Sequence, residues 1–303
     1  MSELVMSLVG FRSVEEVAAY ARKFPSMQFE LSYKMDSQFL AAVAPYLAGR
    51  VASVHACCPS LPIFPNFGSY DRQVLQASYD AVEESLKTAK AFGADILVLH
   101  PGYVCDWSIP RENAERSKLL NDPIFTPYIH IADGAICKPD YPRTSVYQHH
   151  AKQAFEQLIQ VAKLADAYQV RLAVENLNPR VGYLFQTPEE MVQIARLSPS
   201  LHLCLDVGHL WISSSVYGFP YFDALKEIME TGKVVNCHLH SNSTQVGIGR
   251  YRDDHHSFEK YGFPAEAVLR IVTGSGANLV LETVEEPELN TNSLMRFSAS
   301  LTV

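Results

Sequence analysis

Seven short apolar runs in this chain each stop at a residue that can ionise or bind a metal. They are MQFE ending at Glu30, VASVH at His55, ADILVLH at His100, VRLAVE at Glu175, LHLCLD at Asp206, VVNCH at His238 and NLVLE at Glu282. Short runs of this composition read as buried strands. A charged residue inside such a strand would be too costly unless paired. At the end of each strand it is what a parallel barrel needs, because the open face of that barrel lies at the strand C-termini. Seven coincidences of this kind point to a metalloenzyme before they point to a reaction.

The rest of the chain fits the same architecture. A first strand, LVMSLVG, precedes the series, and helical patterns separate the strands. SVEEVAAYARKF carries Ser13 as cap with Glu16 three residues on, and TPEEMVQIARL carries Thr187 as cap with Pro188 in the first turn. Helices are also expected around DSQFLAAVAPYL, at DRQVLQASYDAVEESLKTAKAFG ending at Gly93, and at VYQHHAKQAFEQLIQVAKLADAY. FDALKEIME, PAEAVLRIVTG and LNTNSLMRFSASL complete the set. Eight strands alternating with helices predict an α/β fold, a (β/α)8 TIM barrel, as one domain over residues 1–303. Two loops exceed what a connection needs, 101–145 and 240–262, and both leave ligand-bearing strands, so they are expected to be lids over the mouth.

Composition bounds the partners. Hydrophobic residues make up 48% and charged residues 19%, enough apolar material for a large core. A net charge of -8 argues against a nucleic-acid-coated surface. None of the six cysteines forms a CxxC pair, so they read as reduced thiols of a cytoplasmic protein. The start, MSELVMSLVGF, is too short and acidic for a signal peptide, and no apolar run is long enough to span a membrane. The expected partner is a small-molecule substrate, and the sequence leaves a homo-oligomer open.

Glu175, Asp206, His238 and Glu282 end four successive strands. Three carboxylates and an imidazole suit a divalent metal such as Mn2+, Zn2+, Co2+ or Mg2+. His55 and His100, from the two preceding ligand-bearing strands, would serve a second ion. His209, three residues after Asp206, can return to the mouth through a turn. On the late loop, Asp254 and His256 form a D-x-H pair, and Asp253 and His255 form the same pattern one residue earlier. The register with Asp254 and His256 is preferred. His240 alternates with His238 and is expected at the mouth, with Trp107 and Arg180 as further substrate contacts. Tyr103, Trp107 and Phe185 are expected to form a stacking wall. His149 and His150 read as surface residues.

The ordered pieces SVHA, VLHPG, VEN, CLDVGH, CHLH, DDHH followed by YG, and LET resemble the xylose-isomerase-like TIM barrels. That superfamily holds sugar isomerases and epimerases, inosose dehydratases and endonuclease IV. The resemblance implies a metal-dependent isomerase or epimerase of a small sugar, polyol or sugar phosphate, working through an enediolate. Glu175 and Glu282 would be the proton-transfer pair, with His209 on the carbonyl oxygen or an adjacent hydroxyl and Glu30 on a further hydroxyl. A dehydratase or lyase of a keto-sugar or cyclitol shares that first step. All nine ligand positions of the trinuclear endonuclease IV pattern can also be filled: His55, His100, Glu175, Asp206, His209, His238, Asp254, His256 and Glu282. Two departures count against a zinc-dependent nuclease. Val207 and Gly208 stand where that family has a small hydroxyl residue and Cys. HLHSNS replaces its HxNDSK run, and no Arg lies inside the D-x-H pair.

Overall fold

The computed structural model describes residues 2–120 and 122–300. Eight parallel strands close into a barrel: β1 Leu4–Ser7, β2 Gln28–Leu31, β3 Val51–His55, β4 Ile96–Leu99, β5 Arg171–Glu175, β6 Leu201–Asp206, β7 Val234–Leu239 and β8 Asn278–Leu281. Each strand pairs with its sequence neighbours, and β1 closes the ring on β8 through Leu4 opposite Leu279 and Val5 opposite Val280. The alternation of side chains along each strand sorts the residues. Leu97, Leu172, Leu203 and Leu279 pack in the large core cluster shared with the helices, while Ile96, Val98, Ala173 and Cys204 form a separate small one. The second parity carries on to His100, Glu175 and Asp206. The period of two therefore sets which way the strand-end residues face.

The helices are α1 Val14–Lys23, α2 Ser37–Leu47, α3 Arg72–Phe92, α4 Asn113–Leu120, α5 Ser145–Ala167, α6 Pro188–Leu197, α7 Val207–Tyr217, α8 Tyr221–Glu230, α9 Ala265–Val272 and α10 Pro287–Ser300. Their starts are chemically marked. Ser13 accepts from the Glu16 N–H, and Thr187 and Glu190 form a reciprocal capping box. Helix α3 ends at Gly93 in the left-handed region, φ 75°. No helix among the described residues is long and apolar enough to cross a membrane.

Helix α7 is one that the pattern did not predict. Its run VGHLWISSSVY is apolar around most of its circumference and lacks an amphipathic period. It starts where β6 ends, and the Asp206 side chain caps it by accepting from the His209 N–H at 2.6 Å. One residue thus ends a strand, caps a helix and faces the barrel mouth.

Residues of both long loops line a cavity at that end: Arg116, Gly134 and Ile136 from the first, Tyr251, Arg252 and Asp253 from the second. Residues 101–145 include α4 and one short antiparallel pairing, Ile129–Ile131 with Ile136–Cys137, and make a second with Ile63–Phe64 through Ile109–Pro110. His150 is buried rather than at the surface, with Nδ1 2.7 Å from the carbonyl of Gly68. All six cysteines are buried and unbridged.

Candidate metal centre

The strand-end residues converge. Among the described residues four groups of candidate ligand atoms, each group within 4.8 Å, lie at the mouth: Glu175, Asp206, His238 and Glu282; His55, His100 and Glu175; Glu175, Cys204 and His238; and His209, His240, Asp253 and His255. Glu175 belongs to the first three. Its Oε2 is 3.4 Å from His55 Nε2 and 3.2 Å from His100 Nε2, while its Oε1 is 3.4 Å from His238 Nδ1.

His238 is the pivot of the first group. Its Nδ1 is 3.2 Å from Glu282 Oε2 and 3.8 Å from Asp206 Oδ2. Its Nε2 faces Glu30, 3.1 Å away. Glu30 is fully buried and also accepts from Ser53 Oγ at 2.8 Å and Asn236 Nδ2 at 2.9 Å. It thus lies behind His238, not among the cavity-lining residues where a substrate hydroxyl would meet it.

The late loop settles into the other register. Asp253 is 3.2 Å from His209 Nε2, and His255 Nδ1 is 3.0 Å from the Glu282 carbonyl and 3.5 Å from its Oε2. Asp254 instead accepts from the Ser243 N–H and pairs with His256, whose other nitrogen meets Glu285 at 2.9 Å. The preferred pair, Asp254 and His256, therefore stays out of the ligand groups, with Asp254 lining an adjoining cavity. Strand alternation does not hold here, because His255 sits at φ 46° and the chain bends there.

His240 is fully buried, 3.0 Å from Asp206 Oδ1, and stacks on His255 with ring centroids 3.9 Å apart. Gly208 makes room for it: a Cβ at position 208 would lie 2.3 Å from the imidazole. Tyr103 lines the site, but Trp107 packs edge-on against Phe125 and Phe185 stacks on Phe155, so neither belongs to a wall. Arg180 lines the outer cavity.

Several contributors were not singled out from sequence. Asn176 laces two strand ends together: its Nδ2 donates to the Asp206 carbonyl, its Oδ1 accepts the Asp206 N–H, and its carbonyl lies 2.9 Å from His209 Nδ1. Asn178 Nδ2 donates to Asp253 at 2.6 Å. Their signal was the buried polar run following Glu175. Tyr33, Lys34, Arg116 and Tyr183 also line the cavities, and their loop positions gave no pattern.

Electrostatics follow from packing acids and imidazoles together. Burial opposes ionisation of Glu175, yet His238 and His100 hold its carboxyl well below the usual range. Burial likewise opposes charge on Glu282 and Asp253, and both are held low, by His238 and His255 and by His209 and His255 respectively. Burial also works against protonated His255, but Asp253 and Glu282 raise it to about 10. His100 goes the other way, lowered by burial despite Glu175.

Protons on imidazoles do not complete the site. Buried oxygens of Glu30, Glu175 and Glu282 lie 3.1–3.2 Å from imidazole nitrogens without accepting a well-directed hydrogen bond. Such atoms are costly unless something else ligates them. A donor set of carboxylate oxygens and imidazole nitrogens fits one or more divalent ions. The ligand groups line an inner chamber of about 140 Å3 with Tyr33, Phe64 and Leu177, and an outer cavity of about 650 Å3 adjoins it.

The profile described as Xylose isomerase-like TIM barrel matches residues 6–301. The chain belongs to that family. It is 22% identical over 209 residues to the uncharacterized protein MJ1614 of Methanocaldococcus jannaschii, a match spanning 67% of this chain and 63% of that relative's length. A D-tagatose 3-epimerase-like protein superposes with a TM-score of 0.68 at 16% identity, over 99% of this chain and 98% of the other. Endonuclease IV from Thermus thermophilus superposes at 0.56 with 18% identity, over 99% and 98%. At these identities the likeness is one of fold, and one fold carries many reactions.

Proposed function

We propose that this member of the family is a divalent-metal-dependent isomerase or epimerase of a small polyhydroxylated carbonyl compound. One observation carries the reading. Glu175 and Glu282 line one small chamber, and each has a buried carboxylate oxygen 3.2 Å from an imidazole nitrogen without a well-directed hydrogen bond to it. One of them takes the proton from the carbon beside the substrate carbonyl, and the other returns a proton to the opposite face. Glu175, Asp206, His238 and Glu282 would hold the ion, which supplies polarisation of the substrate oxygens that makes the carbon acidic. His209, fixed by Asn176 and Asp253, orients an oxygen of the substrate. An inner chamber of 140 Å3 suits the reacting end of a small molecule. The outer cavity of 650 Å3 is in the size range of small-molecule sites.

Exchange of the substrate α-hydrogen with deuterated water, followed in wild type and Glu282→Gln, tests the reading. Turnover with exchange, lost by roughly two to four powers of ten in the variant, is expected. Turnover without exchange, or an unimpaired variant, would end it.

A second reading, phosphoester hydrolysis, is favoured by one feature: Glu175 is shared by three candidate ligand groups while a fourth, His209, His240, Asp253 and His255, stands beside them. Neighbouring ions can clamp the attacking and leaving oxygens of such a reaction. Elemental analysis separates the two. One ion per chain supports the isomerase, whereas three ions with nicking of abasic-site plasmid would move the assignment to hydrolysis.

A further inference from the structure

The outer cavity collects cations that the metal ligands do not use. Lys34 follows β2, Arg116 lies in α4, and Arg180 lies in the loop after β5. The nearby acids are already committed: Asp253 to His209, His255 and Asn178, and Asp254 to Ser243 and His256. Arg252 is neutralised by Asp133 at 2.6 Å.

Among the described residues, Lys34 and Arg180 have no carboxylate at ion-pair distance. Lys34 Nζ donates to the Val9 carbonyl at 3.2 Å. Arg180 Nη2 donates to Ser117 Oγ at 3.2 Å, and its buried Nε finds no acceptor. Arg116 gives Nη1 to the carbonyls of Pro110 and Arg111, also bonds the Tyr183 side chain, and lays its guanidinium over Phe64 at 5.1 Å. Both Lys34 and Arg116 also border the inner chamber. Like charges gathered at one cavity repel, and an oxyanion among them relieves that repulsion. The planar guanidinium fork matches a phosphate or carboxylate in particular.

The geometry points to a subsite in which Lys34, Arg116 and Arg180 hold an anionic group of the substrate, a phosphate or a carboxylate, while the reacting carbon lies at Glu175 and Glu282. The subsite deepens the isomerase reading and rests on it. Calorimetric titration of inorganic phosphate, and in parallel of malonate, into the metal-loaded full-length chain tests it. At least one anion should bind, and the tighter of the two names the class. Lys34→Met and Arg180→Met, made separately so that a folding failure in one leaves the other, should each weaken binding about tenfold. Arg252→Met, whose charge is already neutralised, should change it less than about twofold. Failure of both anions to bind would overturn the subsite. So would unchanged binding in the Lys34 and Arg180 variants, which would put the anion on the metal, or an equal loss in Arg252→Met, which would mean a diffuse field. None of these outcomes needs turnover, so the α-hydrogen exchange experiment judges the isomerase reading separately.

Discussion

His238 is held from behind by Glu30: its Nε2 lies 3.1 Å from a Glu30 oxygen while Nδ1 looks toward Glu282 at 3.2 Å. A carboxylate behind a ligating imidazole fixes the tautomer and raises the basicity of the forward nitrogen. Glu30→Gln can still accept from Ser53 and Asn236, so the fold should survive. Metal retention against a chelator, read by elemental analysis, should fall by about ten- to a hundredfold. Retention equal to wild type would remove Glu30 from the metal's support.

The two aspartates of the late loop should behave oppositely. Asp253→Asn takes a ligand atom from the group with His209 and His255. It should lower activity by freeing His209 from one of its anchors, while the ion held by Glu175, Asp206, His238 and Glu282 stays. Asp254→Asn loosens only the contacts to Ser243 and His256 and should leave activity intact. A reversed result would restore the register preferred from the sequence.

Metal uptake should expel protons. His238 and His209 are held protonated well above the ordinary range, where burial is outweighed by the acids around each ring, and His255 stays protonated up to about 10. A ligating nitrogen must be bare, so apparent affinity should rise as pH climbs above the ordinary histidine value of 6.5. Chelator competition at several pH values, with an indicator dye for released protons, measures both. For the metal-free protein the sign is the reverse. A raised histidine stabilises the fold fully below its unfolded value of roughly 6.5. For His255 that contribution fades as pH climbs toward about 10.

Glu285 gives an acid-side counterpart. Partial burial pushes its carboxyl up, but Lys260, the Ser257 N–H and His256 prevail and hold it at about 2. Its contribution is present above the ordinary value of 4.5 and is lost as pH falls toward about 2. The Tm gap between wild type and Glu285→Gln should be constant above about pH 5 and close on acidification. A gap that persists at about pH 2 would show that the ion pair does not hold the late loop.

The barrel and the ring of acids and imidazoles at its mouth were legible because a buried parallel strand leaves a strong trace: a short apolar run that can end in a charged group only at the open face. Glu30 was legible as a strand end but not as a partner of His238, since its depth along the barrel depends on strand stagger. His255 at φ 46° shows why the late loop was not readable: an irregular backbone carries no period from which a side chain's direction follows. Trp107 and Phe185 misled for a related reason. Aromatic residues near a mouth look the same in sequence whether they line it or brace the loop above it.

Gly208 and His240 make a single choice written at two places in the chain. The imidazole occupies the volume that any side chain at 208 would need. Gly208→Cys alone would force His240 off Asp206, and His240→Asn alone would leave a hole beside the same carboxylate. Redesigning this mouth toward another member of the family therefore has an order built into it: the ring at 240 must go before, or together with, any side chain placed at 208.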